Sequence, residues 1–134
     1  MINDCRRTKT TVSFINYHFV FCPRYRRKIF LNTKVEERLK MLVQEICSEL
    51  DIVMIAMECE TDHVHLFLHT LPTLSPADTM AKIKGVTSKR LREEFPHLIH
   101  LPSLWTRSYF VSTAGNVSSE TIKQYVENQK TRKP

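Results

Sequence analysis

Apolar residues recur along this chain at two different periods. From residue 11 to 22, "TVSFINYHFVFC" is β-branched and aromatic with apolar residues on both parities, which predicts a strand buried on part of each face and stopped by Pro23. Between about Lys34 and Leu50, the residues Val35, Leu39, Leu42, Val43, Ile46 and Leu50 repeat at helical spacing. Glu36, Glu37, Arg38, Lys40 and Glu45 fall mainly outside that stripe, the pattern of an amphipathic helix laid on a sheet. "IVMIAMECE" and "HVHLFLHT" read as two strands separated only by Thr61 and Asp62, so an antiparallel hairpin is the economical pairing. Ser75 and Pro76 open a second helix as cap and first-turn proline, and it runs to about Phe95, where Pro96 stops it. "RSYFVSTAG" predicts a further strand. After Gly115 and Asn116 comes a last helix, "SSETIKQYVENQK", capped by Ser118 or Ser119.

The order strand, helix, strand, strand, helix, strand, helix predicts an α+β fold. It is a ferredoxin-like βαββαβ antiparallel sheet with helices on one face, plus an extra C-terminal helix. The chain has 134 residues and no repeat, low-complexity tract or linker, so one domain over 1–134 is expected. Such a fold hosts many unrelated activities, and function must be read from sites. The 42% hydrophobic and 25% charged fractions are ordinary for a soluble globular protein. No apolar run approaches the roughly 18 to 20 residues that a membrane-spanning helix needs, and "MINDCRRTKTT" lacks the apolar stretch of a secretory signal. Cys5, Cys22, Cys47 and Cys59 are scattered singly without a CxxC pair, so neither a zinc knuckle nor a disulfide framework is legible, and a reducing cytosol is expected. A net charge of +6 and a pI of 9.3 favour an anionic partner.

The candidate chemistry is concentrated in "TDHVHLFLH", residues 61–69. On a strand, His63, His65, Phe67 and His69 point one way and Val64, Leu66 and Leu68 point into the core. His63 and His65 then stand about 6.6 to 7 Å apart along the strand, from which two imidazoles can converge on one ion, whereas His69 lies about 13 Å beyond His65. An HxH by itself is more often a half-buried strand whose histidines bond to neighbours. On the last helix Tyr125 and Gln129 stand at i and i+4 and share a face, although a tyrosine there is usually core and a glutamine usually solvated. The joint occurrence is more specific than either part.

These segments resemble the single-tyrosine HUH transposases of the insertion sequence 200/605 family, in which U is a bulky apolar residue. The likeness covers nearly the whole chain. "YHFVFCPRYRRKIF" (17–30) looks like the family's first strand and basic exit, and His63-Val64-His65 within "DHVHLFL" looks like its HUH element. "LWTRSYFVSTAGNVSSETIKQYVENQ" (104–129) looks like its strand, glycine turn and nucleophile helix. The resemblance implies that Tyr125 attacks a DNA phosphodiester to leave a 5′-phosphotyrosine link and a free 3′-hydroxyl. It also implies that His63, His65 and Gln129 hold a divalent cation. Two imidazoles and an amide oxygen suit Mg²⁺ or Mn²⁺, with nitrogen ligands shading toward Mn²⁺. The implied partners are single-stranded DNA with hairpin ends and a second copy of the chain, in a homodimer that exchanges C-terminal helices. The implied location is the nucleoid of a bacterial or archaeal cytosol. No general base is selected among Glu127, Asn128 and Lys130.

Two basic surfaces are candidates for DNA contact. Lys82, Lys89, Arg90 and Arg92 share one side of the second helix, opposite Met80, Ile83, Thr87 and Leu91, with Lys84 beside the apolar side. Such a stripe can track a phosphate backbone or be an ordinary solvated face. Arg24, Arg26, Arg27 and Lys28 cluster beside Tyr25, where an aromatic ring can stack on a base while guanidinium groups hold phosphates. Three other readings compete. A domesticated protein of this fold can bind hairpins without transposing. A histidine-triad nucleotide hydrolase requires HxHxH, but the third position is Phe67. A replication-initiator nickase shares the chemistry, but this length leaves no room for helicase or origin-binding domains.

Overall fold

The structure, a computed structural model, describes residues 15–113 and 124–128. Strand β1 (Ile15–Phe21) is followed by two single 3-10 turns, helix α1 (Thr33–Glu49), the hairpin strands β2 (Val53–Cys59) and β3 (Val64–Thr70), helix α2 (Pro76–Glu94) and strand β4 (Phe110–Ser112). Residues 124–128 are helical. The expected strand start at 11–14, the Gly115-Asn116 joint, the Ser118 or Ser119 cap, Gln129 and Lys130 lie outside the described residues.

The sheet order is β2-β3-β1-β4, and every pairing is antiparallel, the ferredoxin-like arrangement expected from the element order. Central β1 pairs with β3 over seven positions, from Ile15↔Thr70 to Phe21↔Val64. Alternation then divides the sheet into two unlike faces. Tyr17, Phe19 and Phe21 of β1 and Val64, Leu66 and Leu68 of β3 bury against Val35, Leu39, Leu42, Val43 and Ile46 of α1 and Met80, Ile83 and Leu91 of α2. This is the main core, and both apolar helix stripes enter it.

Each helix is stopped and started by local chemistry. The Asn32 side chain accepts from the Lys34 N–H and the Ser75 hydroxyl from the Asp78 N–H, each satisfying a donor that the first turn leaves unpaired. At the end of α1, the Ile52 N–H bonds to the Cys47 carbonyl and the Asp51 N–H to the Ser48 carbonyl, with Asp51 at φ 58°. That is a Schellman closure with aspartate where glycine is commonest.

The opposite face carries no α1 or α2 residue of that core. There Val20 and Cys22, both fully buried, pack with Val126 of the C-terminal helical segment, and Phe110 and Tyr125 lie against them. Cys22, Cys47 and Cys59 are free. Among the described residues, no helix is long and apolar enough to cross a membrane.

Candidate active site

The strand register brings polar residues together on the face opposite α1 and α2. His18 pairs with Phe67 and Val20 with His65 across β1 and β3, Glu58 pairs with His65 across β2 and β3, and Phe110 pairs with Val20 across β1 and β4. His63 closes the hairpin just before β3, where its carbonyl accepts from the Glu60 N–H at 2.8 Å. The rings of His63 and His65 are 4.9 Å apart between centroids and inclined at 70°, so the two imidazoles stand side by side at the start of β3.

Each of these imidazoles is oriented through its Nδ1. His63 Nδ1 lies 3.0 Å from Asp62 Oδ1, and His65 Nδ1 lies 3.1 Å from His18 Nε2. These contacts use the Nδ1 atoms, and Nε2 is the second nitrogen through which each ring can bind. A carboxylate or neighbouring ring on the far nitrogen fixes tautomer and orientation in the manner of metal-ligating histidines. If His65 is to keep a lone pair on Nε2, its Nδ1–H donates to His18 Nε2. His18 is itself fixed by stacking on Phe67, with centroids 4.2 Å apart. Burial and then the neighbouring His63 push the pKa of His65 below its ordinary value, against the opposing charge of Glu58. Burial and then His65 do the same to His18. Both shifts favour the neutral ring, the form of His65 that could bind a metal. Among the described residues, no three His, Cys, Asp or Glu groups are arranged to hold an ion. Gln129, expected as a third donor beside the two imidazoles, lies outside the described residues.

The tyrosine helix docks on this same face of its own chain. Tyr125 Oη lies 3.3 Å from Ser108 Oγ, its ring stands 6.3 Å from that of Phe110, and Phe110 is edge-on to His18 at 6.4 Å. Ser108 is held in turn by Lys84. That residue lies beside the apolar stripe of α2, as the spacing suggested, and its Nζ donates to the carbonyls of Thr106, Arg107 and Ser108 at 2.5, 3.1 and 3.2 Å. Burial pushes the Lys84 ammonium down to about 8, and the three acceptors match its three N–H groups.

The basic cluster of residues 24–28 divides. Arg27 and Lys28 are exposed and Tyr25 half-buried, with the Arg27 guanidinium 5.8 Å from the Tyr25 ring centroid. Arg24 is tied back by its Nε to Ser103 Oγ at 2.9 Å. Arg26 turns inward: its Nε and Nη2 lie 2.7 and 2.6 Å from Asp62 Oδ2, and its Nη1 lies 3.4 Å from Glu127 Oε2. On α2, Lys82, Lys89 and Arg90 are exposed, and Arg92 donates to the Ile99 carbonyl at 3.3 Å. A groove of about 560 Å³ between α2 and residues 99–107 is lined by Lys89, Arg92 and Arg107 together with Ser88 and Ser103.

Sequence reasoning missed His18, Ser108 and the inward role of Arg26. His18 does sit at the outward parity of β1, between core residues Tyr17 and Phe19, but only the register of β1 on β3 places it against His65. Asp62, an acid adjoining the HxH element, was the one available local signal.

Residues 11–129 match the family described as "Transposase IS200 like". The transposase of insertion sequence element IS200 from Salmonella typhimurium is 31% identical over 116 residues, which cover 84% of this chain and 75% of the relative. The ISDra2 transposase of Deinococcus radiodurans is 28% identical over 129 residues, covering 94% and 91%. Among solved structures, a Deinococcus radiodurans protein described as a transposase superposes with a TM-score of 0.84 at 29% identity, covering 92% of this chain and 97% of that one. A REP-associated tyrosine transposase bound to a REP hairpin shares the fold, with a TM-score of 0.56 at 14% identity over 90% of this chain and 69% of that one. The class that fold and sequence define is the DNA transposase, an enzyme that cleaves and transfers DNA strands. Within that class, the chain belongs to the IS200/IS605 family.

Proposed function

We propose that this transposase cuts and rejoins single-stranded DNA at insertion-sequence ends through a covalent link to Tyr125. The phenol Oη gives up its proton and attacks phosphorus, the P–O3′ bond breaks, and the 3′-oxygen leaves as a hydroxyl, so that the 5′ side stays on Tyr125 as a phosphate ester. A 3′-hydroxyl of another strand reverses the step, and no nucleotide triphosphate is consumed because the ester conserves the bond. A divalent cation, Mg²⁺ or Mn²⁺, held by His63, His65 and Gln129 would draw charge from the scissile phosphate.

The chain's own residues do the rest. His18 and Asp62 aim the two imidazoles, Ser108 meets the phenol, and Lys84 fixes the backbone that carries Ser108. A free phenol has a pKa near 10, so its proton must be taken as the P–O bond forms. Of the acids and amides near Tyr125, Glu127 is engaged by Arg26, which leaves it poorly disposed to act as that base. Arg24, Tyr25, Arg27 and Lys28, together with Lys82, Lys89, Arg90 and Arg92, give the DNA a phosphate-binding surface, and hairpin ends are its partner as in the REP-hairpin relative. The chain works as one unit over 1–134 in the cytosol. In a homodimer, the face opposite α1 and α2 would receive the C-terminal helix of a second copy in place of the chain's own.

The observation that carries this reading is that Tyr125 and the two imidazoles occupy one face of the sheet, joined through Phe110 and His18. The test is incubation with hairpin-bearing single-stranded DNA and Mn²⁺, read on a denaturing gel. A covalent adduct with the wild type but not with Tyr125→Phe is expected. His63→Ala and His65→Ala should abolish the adduct and keep hairpin affinity. Hairpin binding with no adduct from the wild type would instead identify a DNA-binding protein without turnover, and hydrolysis of a small nucleotide would identify a histidine-triad enzyme.

A further inference from the structure

Arg26 sits where two parts of the site meet, and its backbone is bent to put it there. Tyr25 and Arg26 are consecutive non-glycine residues in the left-handed region, at φ 63° and 54°. That conformation is unfavourable for a residue with a side chain because Cβ crowds the following carbonyl. Strain of this kind persists where surrounding contacts over-determine it. Here the turn is pinned by the Arg24 N–H on the Leu104 carbonyl at 2.8 Å and the Arg26 N–H on the Pro23 carbonyl at 2.9 Å. Its result is an arginine aimed into the sheet face while its neighbours Arg27 and Lys28 face solvent.

The planar guanidinium fork then spans two carboxylates. On one side it holds Asp62, whose other oxygen meets His63. On the other it reaches Glu127, two residues beyond Tyr125. Arg26 Nη1 is buried and makes no hydrogen bond among the described residues, and the Glu127 carboxylate stands 3.4 Å from it. Burial works against the charge of Arg26, but the hydrogen bond and charge of Asp62, with Glu127 behind them, outweigh it and raise its pKa.

From this geometry we infer that Arg26 is the positioning residue that latches the tyrosine-bearing helix to the imidazole pair, through Glu127 on the helix and Asp62 beside His63. The inference rests on the reading of Tyr125 as nucleophile for its consequence in activity, but not for the contact itself. Arg26 touches no reacting atom in this role. It sets how often the helix is docked.

A built-in reporter exists. Cys22 is fully buried in the small cluster with Val126, and burial pushes its thiol up to about 12. Undocking the helix uncovers it, while Cys47, in the main core, stays covered. The experiment is alkylation of the full chain with N-ethylmaleimide, with Cys22 and Cys47 labelling followed by peptide mass spectrometry. It compares wild type, Glu127→Gln, Glu127→Asp and Arg26→Lys. Glu127 has a side chain 56% exposed, so its replacement leaves the core intact even if Arg26→Lys folds poorly.

A partly exposed ion pair governs such an equilibrium by about threefold to fivefold. Glu127→Gln and Arg26→Lys should therefore raise the Cys22 labelling rate by about that factor with Cys47 unchanged, and Glu127→Asp should restore most of the protection. Adduct formation on single-stranded DNA should fall by a similar factor with DNA affinity unchanged. Unaltered Cys22 labelling in Glu127→Gln would overturn the latch, as would a rise shared equally by Cys47. If the wild type forms no adduct at all, the nucleophile reading fails, and Cys22 labelling still decides the latch.

Discussion

His18 holds one ring of the His63–His65 pair that we propose as metal ligands. Its Nε2 is the atom that meets His65 Nδ1, and outer partners of metal-bound imidazoles are commonly worth about 10- to 100-fold in metal affinity. His18→Phe keeps a ring to stack on Phe67 and removes the nitrogen. Titration calorimetry with Mn²⁺ should show a loss of about tenfold or more in affinity, and an unchanged affinity would reduce His18 to a stacking residue. Lys84 gives a prediction in pH. Its folded pKa, pushed to about 8 by burial, lies below the ordinary lysine value near 10.4. The stability linked to this group is thus complete above about 10.4 and is lost as pH falls through about 8. The urea midpoint of the wild type should climb relative to Lys84→Met as pH rises across that window, and parallel curves for the two proteins would refute the shift.

At the scale of elements, the helices were the most legible part because their periodicity and caps are local. Ser75 caps α2 at the expected residue, and the stripes of α1 and α2 that were read as apolar are the ones buried in the core. Strand existence was equally plain, but β4 is only Phe110–Ser112, shorter than the apolar and polar sequence around it suggested. Its bounds depend on where β1 offers a partner, at His18 to Val20, which no local pattern reveals. The end of α1 holds a testable local conflict. Asp51 is exposed and sits at φ 58° in a Schellman closure, where glycine avoids the Cβ clash. Asp51→Gly removes a left-handed cost of roughly 1 to 2 kcal/mol against roughly 0.5 to 1 kcal/mol for the extra freedom of glycine in the unfolded chain, so a modestly higher thermal midpoint is expected, and a lower midpoint would mean that contacts of the Asp51 side chain outweigh the relief.

For the whole molecule, the two faces of one sheet have different jobs and should respond differently to truncation. Leu66 is fully buried between sheet and helices, so Leu66→Ala should cost about 2 to 5 kcal/mol in chemical denaturation. Val126 belongs to the small cluster on the other face. Val126→Ala should shift global stability by no more than about 0.5 to 1 kcal/mol while opening the helix locally, so that Cys22 becomes easier to alkylate. Equal losses from both substitutions would contradict the division.

The amino-acid order determined the elements, the βαββαβ succession, the inward parity of Val64, Leu66 and Leu68, and the outward parity of His63 and His65. These follow from period, caps and turn residues, which act over a few positions along the chain. What only the tertiary structure decided is who stands opposite whom. The register of β1 on β3 brings His18 to His65, a left-handed turn at Tyr25 and Arg26 converts one of the four basic residues of that cluster from a surface group into an internal clasp, and the docked helix sets Glu127 and Tyr125 on the same face of the sheet. Those contacts join residues dozens of positions apart, and their free energy exists only once the sheet has assembled.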